Sequence, residues 1–216
     1  MKYRRITSEV ATLRLPVLYT FLCLAFMSDY NSMVSFVNQD TLADNVGVDT
    51  RTIQRHINQL EKHGLVKTEK LKCKNYEGKF FLKNKYSLMT EHYVLIDEQL
   101  IDERISNSLK AFLVVVKALC INNTNTCNFT IQEMTERCSL SRSSIDRYLN
   151  IAQTTGYIEW NKAKHHIRLI NEDIFIVPNK SDLAFAREQD RFMVKREQKK
   201  MDEKRKSTNT NDFIIV

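Results

Sequence analysis

Arg51, Gln54, Arg55 and Asn58 stand three or four residues apart in the run DTRTIQRHINQLEK, a spacing that puts them on one side of a helix. Thr50 and Thr52 join them at its start. Their chemistry is that of reading base edges: Arg bonds guanine bidentately, Gln and Asn do so with adenine, and Thr adapts to either. Ile53, Ile57 and Leu60 fall on the other side and form an apolar stripe. A solvated protein-docking module could show the same polar face, so the surrounding residues have to separate the two readings.

A dense set of lysines comes next. Lys67, Lys70, Lys72, Lys74, Lys79, Lys83 and Lys85 flank the turn NYEGK, opposed only by Glu69 and Glu77. Lysines beside a reading helix suit phosphate oxygens, which fix register and strengthen binding without reading sequence. They also keep an exposed strand edge from pairing with another chain. Tyr76, at the tip, can reach a phosphate or the minor groove, or cover the hairpin.

These side chains need elements to hold them. The stretch LADNVGVDTRTIQRHINQLEKHGLVK, Leu42 to Lys67, reads as two short helices around a tight turn, running into a strand. Leu42, Val46, Val48, Ile53, Ile57 and Leu60 are its expected buried side. Gly47 sits at the reversal, where a positive φ costs it nothing. Asp49 can cap the second helix, and Gly64 ends it. Upstream, KYRRITSEV is strand-like and LRLPVLYTFLCLAFMSDY is a buried helix with Pro16 in its first turn. MVSFV is a short strand, and Asn38 or Gln39 opens the next helix. Downstream, LVKTEKLKC and FFLKNKYSLM form a hairpin about an Asn/Gly turn. The order is helix, strand, helix, helix, strand, strand.

The pattern then repeats. HYVLIDEQLI lies over KYRRITSEV, with Tyr93 on Tyr3, Ile96 on Ile6 and Leu100 on Val10. SNSLKAFLVVVKALC lies over the long helix, and NFT is a short strand. From Met134 the match is ungapped at an offset of 92 residues, with Ile145 on Ile53, Arg147 on Arg55, Asn150 on Asn58 and Gly156 on Gly64. Ser141 can cap a second reading helix that presents Arg142, Ser143, Ser144, Asp146, Arg147 and Asn150. Asp146 replaces Gln54 and repels phosphate unless it meets a cytosine amine. The second hairpin, YIEWNKAKHHIRLI, is shorter and carries Trp160, Lys162, Lys164, His165, His166 and Arg168. A repeat of this length fits tandem domains rather than a solenoid. The expected division is 1–90, 91–177 and a charged tail 178–216. That tail has Phe185 and Phe192 one heptad apart and ends in the apolar DFIIV.

The net charge of +7 over 216 residues is unevenly spread: +6 in residues 1–88, −2 in 89–176 and +3 in 177–216. The first copy is therefore the expected main holder of phosphate. No run of about 18 apolar residues suggests a membrane span, and MKYRRITSEV lacks the apolar core of a signal peptide, which points to a cytoplasmic chain. The five cysteines contain no CxxC pair. Cys120 and Cys138 occupy apolar helix positions, which disfavours a zinc site with Cys127, His165 and His166. No P-loop, HExxH, nucleophile elbow or supported carboxylate pair is present, so neither an enzyme nor a cofactor is expected.

The run GVDTRTIQRHINQLEKHGLV resembles the helix-turn-helix and wing entry of many bacterial, plasmid and phage regulators. Residues 3–176 as a whole resemble tandem winged helix-turn-helix DNA-binding proteins, an architecture that plasmid replication initiators also use. The resemblance implies a mainly α fold with small β wings (α+β). It implies sequence-specific binding to double-stranded DNA, either as transcriptional regulation or as replication initiation and plasmid maintenance; a protein-interaction module is the third reading. Implied contacts are Thr50, Arg51, Thr52, Gln54, Arg55, Asn58, Lys70, Lys72, Lys74, Lys79, Arg142, Ser143, Ser144 and Arg147. A homodimer, or a protein partner held by the second domain or the C-terminal tip, is compatible with this. A direct repeat in the bound DNA would favour both copies reading it, and an inverted repeat would favour a homodimer using one.

Overall fold

A computed structural model describes residues 3–178 apart from 75, 77 and 121–123. The readings of Phe185, Phe192 and the DFIIV tip lie outside the described residues. Met1–Val177 form one compact α+β unit.

The first copy runs β1 (Tyr3–Thr7), α1 (Leu15–Phe26), β2 (Val34–Ser35), α2 (Gln39–Val46), α3 (Thr50–Lys62), β3 (Val66–Lys74) and β4 (Phe80–Leu88). The second runs β5 (Tyr93–Asp97), α4 (Gln99–Asp102), α5 (Asn107–Ala118), β6 (Thr126–Cys127), α6 (Ile131–Arg137), α7 (Arg142–Thr154), β7 (Ile158–Asn161) and β8 (His166–Leu169), followed by β9 (Phe175–Ile176). The offset of 92 already relates Leu15 to Asn107, so the ungapped match extends back through both long helices. Each copy builds a small antiparallel sheet of equivalent order, β2-β4-β3 and β6-β8-β7.

Helix α1 is buried from Leu15 to Ala25 except at Pro16. A helix apolar on all sides needs cover on all sides. Here α2 and α3 pack on α1 from its own copy, and α5 packs on it from the other. Helix α5 carries two buried lysines in the same setting. Lys110 Nζ donates to the Ile101 carbonyl. Lys117 Nζ donates to Thr124 O at 3.1 Å and Asn125 Oδ1 at 2.6 Å, and burial pulls its pKa down to about 8. Asn125 passes the link on, its Nδ2 donating to Phe175 O at 2.8 Å beside β9.

A third sheet, β1-β5-β9, joins the copies. β1 and β5 are equivalent strands that pair antiparallel, with Tyr3 opposite Asp97, Arg5 opposite Leu95 and Thr7 opposite Tyr93. Because Tyr3 is equivalent to Tyr93 and Thr7 to Asp97, this register is symmetric about the Arg5–Leu95 pair. Two equivalent strands paired this way are related by a local two-fold axis, as in an isologous dimer interface. Two further contacts keep to the same symmetry. Asn107, opening α5, donates to Val46 O at the end of α2, at 3.2 Å. Ser139, just past α6, donates to Thr12 O just before α1. Each helix-helix turn is thus held by the opposite copy.

Some local expectations fail. Val48 is 36% exposed, because the left-handed Gly47 turns the chain outward before α3 begins. Cys120 lies past the end of α5, and Cys138 caps α6 rather than sitting within it, although both thiols are buried. MVSFV contributes only the two residues of β2. The β1-β5-β9 sheet was not foreseen: strand pairing between copies leaves no mark in local periodicity.

Candidate nucleic-acid interface

Helix α3 starts where its sequence says it should. The Asp49 carboxylate accepts from Thr52 N at 2.8 Å and from Thr52 Oγ1 at 2.7 Å, which holds its pKa below the usual carboxylate range. Thr50 Oγ1 donates to Asp40 Oδ1 at 2.8 Å and ties the start of α3 to α2. Both threonine hydroxyls named as readers are therefore engaged in building the motif. The helix closes at His63, with Gly64 in the left-handed region at φ +70°.

The inner side of α3 is Ile53, His56, Ile57 and Leu60, all buried. Burial of each aliphatic chain stabilises by roughly 1.5–3 kcal/mol, enough to fix which side of the helix faces outward. The outer side presents Arg51, Gln54, Arg55 and Asn58, all exposed. Among the described residues the side chains of these four make no hydrogen bond or ion pair within the fold. Their polar groups are free to meet a ligand without breaking an internal bond.

The hairpin β3–β4 follows α3 directly. Residues opposite one another on paired strands share a face. Val66 opposite Leu88 and Thr68 opposite Tyr86 define the face that continues from the core. Further out, the same face carries Lys70 opposite Asn84, Lys72 opposite Leu82 and Lys74 opposite Phe80. No carboxylate pairs with Lys70, Lys72 or Lys74 among the described residues. The reverse face is different: Glu69 bonds Lys85 at 2.8 Å and Lys67 at 2.9 Å, and these two ammonium groups pull its carboxyl down to about 2. Lys67 and Lys85 are thus paired on the reverse face, while Lys70, Lys72 and Lys74 are left open. Lys79 is exposed next to the turn, and Tyr76 is fully exposed and covers nothing.

The second copy places its residues equivalently but engages more of them. Ser141 caps α7, and its hydroxyl lies 3.1 Å from Ser143 Oγ and 2.9 Å from Ser144 Oγ. Asp146 bonds Lys162 at 3.1 Å, so the charge expected to repel phosphate is met within the fold. Asn150 Nδ2 donates to Asp146 O at 2.8 Å and lies 3.2 Å from Asp146 Oδ2. The Arg147 guanidinium lies 4.9 Å from the centre of the Tyr148 ring. Arg142 is exposed at the start of the helix. His165 occupies the hairpin turn at φ +50°, and His166 begins β8. Of the two outward faces, that of α3 is the less committed to its own fold.

One pair escaped the sequence reading. Thr20 and His56 meet beneath α3, and 92 residues later their equivalents Phe112 and Tyr148 stack with ring centres 5.2 Å apart. His56 at an inward helical position was the available signal.

Among the described residues no group of three His, Cys, Asp or Glu side chains is placed to hold a metal ion, and no helix is long and apolar enough to cross a membrane. Burial raises the thiol pKa of Cys23 to about 11 and of Cys120 to about 12, as for inert core cysteines.

Residues 18–66 match the family model of a helix-turn-helix domain. The matched span starts within α1 and ends as β3 begins, so it takes in α2, the Gly47 turn and α3. Helix-turn-helix domains are DNA-binding units whose second helix enters the major groove. No curated protein matches the chain.

Proposed function

We propose that this chain binds double-stranded DNA in a sequence-specific manner through its first helix-turn-helix, and acts in the regulation of transcription. The observation that carries the reading is the outer stripe of α3: Arg51, Gln54, Arg55 and Asn58 are exposed, unengaged, and fixed in place by a buried opposite side. Arg51 and Arg55 take guanine edges, and Gln54 and Asn58 take adenine edges. Lys70, Lys72 and Lys74 follow on the hairpin face that continues from the core and supply the phosphate contacts.

The second copy contributes less to reading, since its Ser143, Ser144, Asp146 and Asn150 are bonded within the fold. Arg142 and Arg147 are its remaining contacts. Binding to a replication origin is the competing use. Two unequal heads in one compact unit favour it, because the weaker head leaves surface for a recruited protein. Selection of bound fragments from genomic DNA, followed by sequencing, tests both readings. Enrichment of promoters supports regulation, enrichment of an origin supports initiation, and recovery of random fragments removes sequence specificity altogether.

A further inference from the structure

The β3–β4 hairpin has a property that phosphate contact does not require. Phe80 is 63% exposed and Leu82 68%, and both lie on the face that carries Lys70, Lys72 and Lys74. Lysines alone suffice for the backbone of a duplex. Large apolar groups on the same face add what phosphates do not use, namely surface on which unstacked bases can pack.

The cations and rings are interleaved. Lys72 Nζ lies 4.4 Å from the centre of the Phe80 ring and Lys74 Nζ 5.7 Å. Lys83 Nζ lies 5.3 Å from the ring of Phe36, itself 45% exposed. β2 pairs with Tyr86 and Ser87, and among the described residues no strand pairs with β4 along this edge from Phe80 to Lys85. A cleft of about 540 Å³ lies beside that edge, bounded by Phe36, Asn38, Thr50, Leu82 and Asn84. Rings for stacking, ammonium groups for phosphates and a cleft between them are the features of a surface that holds unpaired nucleotides.

We propose that the β3–β4 hairpin and the cleft at its β4 edge bind single-stranded DNA. Bases stack on Phe80 and pack on Leu82, the phosphates run along Lys70, Lys72 and Lys74, and the strand leaves over the β4 edge toward Phe36 and Lys83 on the reverse face. The site shares lysines with the duplex interface but not its apolar residues, so the two activities separate.

The test uses the full chain and fluorescence anisotropy with two labelled probes: oligo(dT) of about twenty nucleotides, and a random duplex of the same length. Wild type is expected to bind both. The double variant Phe80→Ala, Leu82→Ala, altered only at exposed positions, is expected to lose about tenfold or more on oligo(dT) and to keep duplex affinity within about twofold. Phe80→Trp is expected to retain oligo(dT) binding. The proposal is overturned if wild type ignores oligo(dT) while binding duplex, or if the double variant binds oligo(dT) as wild type does. It is overturned equally if the double variant instead abolishes self-association seen by light scattering and leaves oligo(dT) binding intact, since the apolar face then covers a second copy. Failure of the duplex reading shows separately, as loss of duplex binding by wild type.

Discussion

Thr20 Oγ1 and His56 Nδ1 lie 2.7 Å apart in the interior, joining α1 to the underside of α3. Thr20 Oγ1 also donates its one proton to Pro16 O at 3.1 Å, so Nδ1–H of His56 is the donor in the shared bond. The imidazole is held neutral: burial lowers its pKa, and the nearby Asp49 charge opposes this more weakly. The unfolded chain therefore takes up the proton first. Stability from this group is complete above the ordinary histidine pKa of about 6.5 and falls as pH drops through that value toward the folded pKa. Urea unfolding followed by circular dichroism is expected to give a lower midpoint at pH 5.5 than at pH 7.5, with much of the difference removed in His56→Phe. An unchanged midpoint in wild type across that interval ends this account.

Removing the acceptor alone makes a smaller perturbation. Thr20→Val keeps the shape of the side chain and strands the buried Nδ1–H, at a cost of about 1–3 kcal/mol. The same unfolding experiment measures it; a loss well below that range shows that the imidazole finds another partner.

On the outer face of α3, Arg51→Ala and Arg55→Ala are each expected to cost about 1–3 kcal/mol on a selected target and far less on random duplex. Both variants leave the buried side of the helix untouched, so circular dichroism should be that of wild type. Competition binding with target and random duplexes checks this, and equal losses on both would remove α3 from the role of reader.

The lysine ladder predicts a different signature. Lys72→Ala or Lys74→Ala should weaken every duplex alike and lower the slope of log affinity against log salt by roughly 1 for each phosphate no longer neutralised. Titrations across a salt series give that slope directly. A slope identical to that of wild type places these ammonium groups away from phosphate.

The symmetric register of β1 on β5 reverses one expectation about the target. A two-fold axis between the copies relates α3 to α7, so two heads engaged on one duplex meet half-sites in inverted, not direct, orientation. Hydroxyl-radical footprinting of the chain on a selected site should show inverted half-sites, with protection of one lost in the double variant Arg142→Ala, Arg147→Ala. Two head-to-tail half-sites of equal protection are incompatible with this geometry.

Most of what local chemistry controls was legible in the sequence. Asp49 and Ser141 as caps, Gly47 and Gly64 at positive φ, and the buried stripe of Ile53, Ile57 and Leu60 all follow from short-range rules and are in place. The free stripe of Arg51, Gln54, Arg55 and Asn58 follows from the same periodicity. Engagement of side chains was not legible. Thr50 bonds Asp40 and Asp146 bonds Lys162, ten and sixteen residues away, and spacing alone cannot foretell such partners. The ladder between β1 and β5 was the least accessible, because it joins segments about ninety residues apart whose own patterns say only that each is a strand.

That ladder also loosens a constraint that binds ordinary homodimers. In a dimer of identical chains every side chain appears twice, so a change that improves one half is imposed on the other, and the target must stay palindromic. Here the two halves sit about the same kind of axis, yet each has its own stretch of sequence. Thr20 and His56 have become Phe112 and Tyr148, and Gln54 has become Asp146, without any corresponding change across the axis. The chain has the geometry of a symmetric reader and the freedom to recognise an asymmetric site.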